Sequence, residues 1–277
     1  MPEHPISIVQ GDYGRVTVNL DERGLVAHAH AETHVIFKLG AEDAPFRVGN
    51  DRVVVTDNNA LVIQPWTVHA RLAGAPSLLL VLWLNAAWLK GLLATDAPDP
   101  VVFVDDATLA AAEALADLVR DATLREPEDV ARGIENVVQS VRRDQQRLAG
   151  VEVPKLAPQR LTDARVRRAI DFLNRQPVAE LHVDAVAEHV GLSRSRFFEQ
   201  FKLCLGVTPQ HYIDWIRMRH ATRGLSSSDK TLATISEELG FASQSHFSRF
   251  FSEHLGLPPG EFRRRAVSVT QNLTPAG

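Results

Sequence analysis

Four histidines in the N-terminal half stand at spacings that can do chemistry. His28-Ala29-His30 sets two imidazoles on one side of an extended chain, and His34 follows four residues later on the same side. His69 comes after Pro65-Trp66-Thr67-Val68. Imidazole suits Zn2+, Ni2+ and Fe2+, so four rings converging on one point predict a divalent-metal site. The same four residues, with Trp66, equally predict the wall of a small-molecule pocket at the mouth of a barrel. Spacing alone leaves that choice open. No general base, nucleophile or redox cysteine stands out beside them, so no catalytic residue is assigned and the chain reads as a non-enzyme.

A second set of residues has the chemistry of base and phosphate recognition. Arg249 fits a bidentate contact to guanine, with Gln244, Ser245 and His246 as helpers. In a matching segment fifty residues earlier, Ser195 and Glu199 face bases, Phe198 meets a thymine methyl, and Arg194 and Arg196 hold the phosphate backbone. Glu199 can accept from cytosine N4 but repels phosphate.

The elements that position this second set form a repeat. Val183 to Ser193 aligns with Leu232 to Ser243, superposing Gly191 on Gly240. One extra residue then enters the second turn, so Phe197 matches Phe247, Phe201 matches Phe251, Gly206 matches Gly256 and Pro209 matches Pro259. One supersecondary unit is used twice. In the first copy Val183, Val186, Ala187 and Val190 share a helical face, Gly191 permits the turn, and Ser193 caps a second helix striped by Phe197, Phe201 and Leu205. Ile235, Leu239, Gly240, Ser243, Phe247, Phe251 and Leu255 repeat the scheme. Each copy is a helix-turn-helix, and the segment from Pro209 to Leu225 makes a rigid spacer of about 25 Å. That is of the order of the roughly 34 Å between successive major-groove segments on one DNA face. The alternative is a helical bundle that merely repeats.

The histidines belong to a different kind of chain. Val16 to Val18, His34 to Phe37, Val53 to Val55, Ala60 to Ile63 and Leu78 to Leu84 are short aliphatic or β-branched runs between turn clusters, which predicts a small barrel or jelly roll. Two helices follow. Leu109, Ala112, Leu115, Ala116 and Val119 stripe the first; Val130, Ile134, Val137, Val141 and Leu148 form a narrow seam on the second. Such a seam fits a partner helix in a second copy or packing against the barrel. The following segment, with Pro154 and Pro158, lacks periodicity and reads as a linker.

Composition agrees with two domains in 277 residues. Residues 160–265 carry a balance of +4 and the remainder −8, within the net −4 of the chain. Nucleic acid belongs on the former. The balance is modest, so useful affinity is expected when two chains bind together. The lone Cys204 beside the buried stripe reads as packing, and the lack of a disulfide framework fits a reducing cytoplasm. No secretory signal opens the chain, and the apolar run from Leu78 to Leu84 is far short of a membrane span.

The stretch from about Val166 to Arg264 resembles the DNA-binding domain of the AraC family of bacterial transcription regulators. The matching residues include Val186-Ala187, Gly191-Leu192-Ser193, Gly206-Val207-Thr208-Pro209, Tyr212-Ile213, Ile235-Ser236, Gly240-Phe241, His246 to Phe251, Pro258-Pro259 and Phe262-Arg263. The match covers about a third of the chain. It departs at Glu199, where that family often carries a basic residue. The His28, His30, His69 pattern is similar to the two cupin motifs, departing where metal-binding cupins carry Glu and this chain has His34.

Together these resemblances imply an α+β chain: a cupin-like effector-binding domain over 1–100, a helical dimerisation or packing segment over 101–150, a linker over 151–162 and an AraC-type domain with two helix-turn-helix units over 163–266. They imply a cytoplasmic homodimer that responds to a small-molecule effector bound at His28, His30, His34, Trp66 and His69, and that partners double-stranded DNA and RNA polymerase, not a membrane. A divalent metal at the four histidines is the cofactor they leave open. The rivals are a metal-dependent cupin enzyme with a DNA-binding domain, and a constitutive DNA-binding regulator whose barrel only dimerises.

Overall fold

The computed structural model describes residues 7–89, 99–121, 127–148 and 163–268. In its N-terminal part the strands are β1 (Ser7–Gly11), β2 (Gly14–Asp21), β3 (Thr33–Ala41), β4 (Ala44–Val48), β5 (Asp51–Val55), β6 (Asn59–Ile63), β7 (His69–Arg71), β8 (Ser77–Leu84) and β9 (Val101–Phe103). Three helices accompany them: α1 (Ala86–Leu89), α2 (Asp106–Arg120) and α3 (Pro127–Leu148). The C-terminal part holds α4 (Ala164–Arg175), α5 (Val183–His189), α6 (Arg194–Leu205), α7 (Pro209–Ser227), α8 (Leu232–Glu238), α9 (Gln244–Leu255), α10 (Pro259–Arg265) and a last strand, β10 (Ala266–Ser268).

The apolar run of β8 is long because both faces of that strand are covered. It lies between β2 and β3 in a seven-stranded sheet of order β10-β1-β2-β8-β3-β6-β9. Leu80, Leu82 and Leu84, with Val35 and Phe37 of β3, turn toward α2 and α3. Leu79 and Val81, with Ile36, turn toward a second sheet of order β5-β4-β7 and meet Phe46 and Val55. The period of two in a strand thus divides one core into two layers. The result is two stacked sheets with an open mouth, the jelly-roll form of the expected architecture and not a closed barrel.

The seam on α3 is consumed inside the chain. Val130, Ile134, Val137 and Val141 are fully buried in one cluster with Leu115, Ala116 and Val119 of α2 and the outer face of the large sheet. Of the two expectations for this helix, packing against the sheet is the one its geometry occupies. Asp105 caps α2 by accepting from the Thr108 amide, and Thr108 Oγ1 donates to the buried Asp144 of α3 at 2.7 Å, fixing the helix pair. The expected linker, 151–162, lies outside the described residues.

The two helix-turn-helix units form as their spacing predicts. Ser193 and Ser243 accept from the amides of Arg196 and His246 and cap α6 and α9. Phe197, Phe201, Phe247 and Phe251 are fully buried. Gly240 holds φ +78°, and a Cβ there would stand 2.7 Å from the Ala179 carbonyl oxygen, so only glycine makes this turn. Cys204 is buried in the first unit, where Leu205 stays partly exposed. The linking helix α7 has 19 residues and so runs about 28 Å.

Candidate functional site

The four histidines come together, although not from one strand. His34 lies in β3 and His69 in β7, but His28 and His30 sit in an irregular segment joined to β7 by a single bridge between His28 and His69. Ring centroids lie 4.2 Å apart for His30 and His34, 4.5 Å for His28 and His69, and 4.9 Å for His30 and His69. The side-chain donors of His28, His30 and His69 all fall within 4.8 Å of one another. His34 flanks this triad, with its ring edge-on to Trp83, its cross-strand neighbour.

Carbonyl oxygens fix the tautomers. Nδ1–H of His28 donates to Val26 O at 2.8 Å, that of His30 to Glu32 O at 3.1 Å, and that of His69 to Thr67 O at 2.8 Å. A carbonyl only accepts, so Nε2 of each neutral ring keeps a free lone pair. Burial holds His28, His30 and His34 well below the ordinary imidazole range and pushes His69 down to about 3; the neighbouring rings and, for His30 and His34, Arg15 add to the effect. The cluster is neutral at neutral pH.

The open mouth of the stacked sheets is covered by the C-terminal domain. Leu255, Gly256, Leu257 and Phe262 help close a small cavity of about 80 Å3 that also meets His34, His69 and Arg71. A larger cleft of about 660 Å3 lies along the seam between the domains, with His28 and His30 on one wall and His211, Trp215 and Arg219 of α7 on the other. The volume expected inside a barrel mouth is therefore mostly between domains.

Several contacts hold this seam. Trp215 Nε1–H donates to Glu32 at 3.0 Å, the Val26 amide donates to Glu253 O at 3.0 Å, and Ser226 meets Gln10 at 3.0 Å. β10 pairs in parallel with β1, Ile8 opposite Ala266. Trp66, expected at the pocket, instead stacks on Tyr212 of α7 and does not line the cleft.

Each wall presents an arginine on a tryptophan. The Arg15 guanidinium lies 4.0 Å from the Trp83 ring and that of Arg219 4.5 Å from the Trp215 ring. Burial lowers Arg15 to about 10 against the opposing influence of Glu32, so it stays charged. These residues were missed in the sequence, and for a physical reason. Arg15, Thr17 and Asn19 alternate with Val16 and Val18 as a solvent-facing edge would, yet they face the cavity. Nothing local to α7 marks Trp215, whose hydrogen-bond partner Glu32 lies 183 residues away.

On the recognition helices, Arg194, Ser195, Arg196 and Glu199 of α6 and Gln244, Ser245, His246 and Arg249 of α9 are all exposed. Phe198 is half-buried against the first unit's core, which limits its reach toward a base. Arg194 is held by both carboxylate oxygens of Asp184 at 2.6 Å, so its charge is already paired.

Residues 186–265 match a family described as a helix-turn-helix domain. Over 98 residues the chain is 32% identical to the lactose operon transcription activator of Staphylococcus xylosus, covering 35% of each chain. Over 104 residues it is 35% identical to a protein of Streptomyces lividans described as an AraC-like transcription regulator, covering 38% of this chain and 34% of that one. The chain thus spans about a third of the length of these curated relatives. Among solved structures, ToxT of Vibrio cholerae aligns over 90% of this chain and 97% of its own, with a TM-score of 0.59 and 10% identity. A fatty-acid-bound ToxT aligns with a TM-score of 0.53 and 13% identity over 94% of each chain, and its ligand is unsaturated. The C-terminal region holds a helix-turn-helix domain similar in sequence to that of an AraC-like transcription regulator, and nine-tenths of the chain shares the fold of ToxT.

Proposed function

We propose that this chain is a transcription regulator of the AraC type that binds a small organic anion in the cleft between its sensor and DNA-binding domains. One observation carries the reading: the cleft has a cation over an aromatic ring on each wall, Arg15 on Trp83 and Arg219 on Trp215. A carboxylate or phosphate with an apolar body satisfies both features, and by touching both domains it favours the arrangement it bridges. The fatty acid in ToxT is a ligand of this class in the same fold.

Occupancy of the cleft is linked to occupancy of DNA, because α7 forms one wall and also spaces the two recognition helices. In this reading Arg249 contacts guanine with Gln244, Ser245 and His246 beside it, and Ser195, Arg196 and Glu199 serve the first half-site. The working unit is a cytoplasmic homodimer on double-stranded DNA that engages RNA polymerase, and it carries no enzymatic step.

The test is DNA selection by the full-length protein, followed by affinity for the selected site with and without a panel of aliphatic and aromatic carboxylates and phosphates. A coupling of 1–3 kcal/mol, roughly 5–150-fold in affinity, is expected for the cognate class. Arg15→Ala and Arg219→Ala should abolish that change while leaving DNA binding. If no panel member shifts the affinity, the reading gives way to a constitutive DNA-binding protein.

A further inference from the structure

We propose that His28, His30 and His69 form a binding site for one first-row transition-metal dication, Zn2+ being the probe, with its open coordination positions facing the cleft. The inference stands on the geometry of the sensor and is independent of the regulatory reading.

Two segments of chain, the one carrying His28 and His30 and the strand carrying His69, bring three imidazoles to a common point, with the donors within 4.8 Å of one another. In a tetrahedral zinc site, with Zn–N of about 2.0–2.1 Å, donor nitrogens lie about 3.4 Å apart. Small side-chain rotations close that difference. The rings are already oriented for it, because Nδ1–H of each is held by a carbonyl of its own segment, Val26, Glu32 or Thr67. Ligating histidines are oriented in this way by hydrogen bonds from their second nitrogen.

The free nitrogens have no other assignment. His30 and His69 are 8% and 3% exposed, and their buried Nε2 atoms have no hydrogen-bond partner among the described residues. A buried acceptor left unpaired is costly, and two of them on rings 4.9 Å apart suit a shared cation. The donor set selects its chemistry: three neutral nitrogens and no carboxylate suit Zn2+, Ni2+, Co2+ or Cu2+ and not the oxygen-seeking Mg2+ or Ca2+.

Access and saturation follow from position. His28 is only partly buried and lines the cleft, which gives an ion a route in. His34 packs 4.2 Å from His30 and 4.9 Å from His69, ring to ring, and restricts how those two rings can turn. Beyond His28 stands His254 of α9, 6.1 Å away between ring centroids, so the site abuts the DNA-binding domain.

The experiment uses the full-length chain, stripped with chelator and titrated with Zn2+ by calorimetry, with Co2+ absorption as a spectroscopic reading of the ligand field. One ion per chain is expected, with Co2+ bands of a nitrogen-ligated four- or five-coordinate site. His28→Ala, a partly exposed position that tolerates truncation, and His69→Ala should each weaken Zn2+ binding at least tenfold, whereas His182→Ala on the exposed end of α5 should not. Absence of binding at micromolar Zn2+, or binding that survives both His28→Ala and His69→Ala, overturns the proposal.

Discussion

The indole of Trp66 and the phenol ring of Tyr212 lie face to face across the domain seam, 4.8 Å between centroids and 17° from parallel. Trp66 holds this position with φ at +64°, a conformation that side chains larger than hydrogen rarely adopt, while its amide donates to His30 O at 2.8 Å. The strained turn thus links the histidine cluster to α7. Such stacking contributes about 0.5–1.5 kcal/mol beyond the area buried. Trp66→Ala should loosen the seam, and calorimetry should then resolve one unfolding transition into two. Trp66→Gly should recover about 1 kcal/mol of sensor stability relative to Trp66→Ala, because glycine relieves the backbone strain. A single unchanged transition in Trp66→Ala would assign the docking to other contacts.

The recognition helices should respond unequally to loss of an arginine. Arg249 is exposed on α9, so Arg249→Ala should cost about 1–3 kcal/mol at the selected site and relax preference at one base position. Arg194 is paired to Asp184 at 2.6 Å. Asp184→Asn should free it, strengthen binding on all sequences and steepen the salt dependence by about one counterion. Titrations at several salt concentrations read both effects.

The apolar seam of α3 faces the sheet and α2, which makes a prediction about self-association. Ile134 is fully buried there. Ile134→Ala should lower sensor stability by about 2–5 kcal/mol and leave the oligomeric state unchanged. Sedimentation that shows conversion to monomers would place the seam at a subunit interface instead.

Acid should weaken the junction of α2 and α3. The Asp105 carboxylate is held below the ordinary range by Arg147, 2.5 Å away, and by the Thr108 amide it caps. A depressed folded-state pKa gives stability above the unfolded value that is lost as pH falls through the folded one. Asp105→Ala should therefore lower the melting temperature at pH 7, and the gap to the unmodified protein should narrow as the pH falls below the ordinary carboxylate range. An equal gap at neutral and at acid pH would mean the charge adds nothing to the cap.

Much of the C-terminal domain was legible because its information is local. Caps, turn glycines and the Phe197 and Phe247 stripes lie within one helical unit, where a period of 3.6 and a handful of residue types decide the outcome. The histidine cluster was legible as a set, though its segment is irregular and only His34 and His69 lie on strands. The docking was not legible. Arg15 alternates like an exposed strand position, Trp66 looks like a pocket aromatic, and β10 is three residues whose pairing partner lies at the other end of the chain. Contacts between distant segments leave no period behind them.

That last pairing gives the fold a closed outline. β10 extends the large sheet beyond β1, so the sheet of one domain is finished by a strand belonging to the other. An N-terminal domain cut away from its C-terminal half keeps β1 as a bare rim, with the amides and carbonyls that had faced β10 unanswered along it. Such a rim accepts any strand offered to it. The N-terminal domain's protection against joining its own kind is therefore supplied by the C-terminal domain, and a break between the two turns a folded subunit into a template for strand exchange.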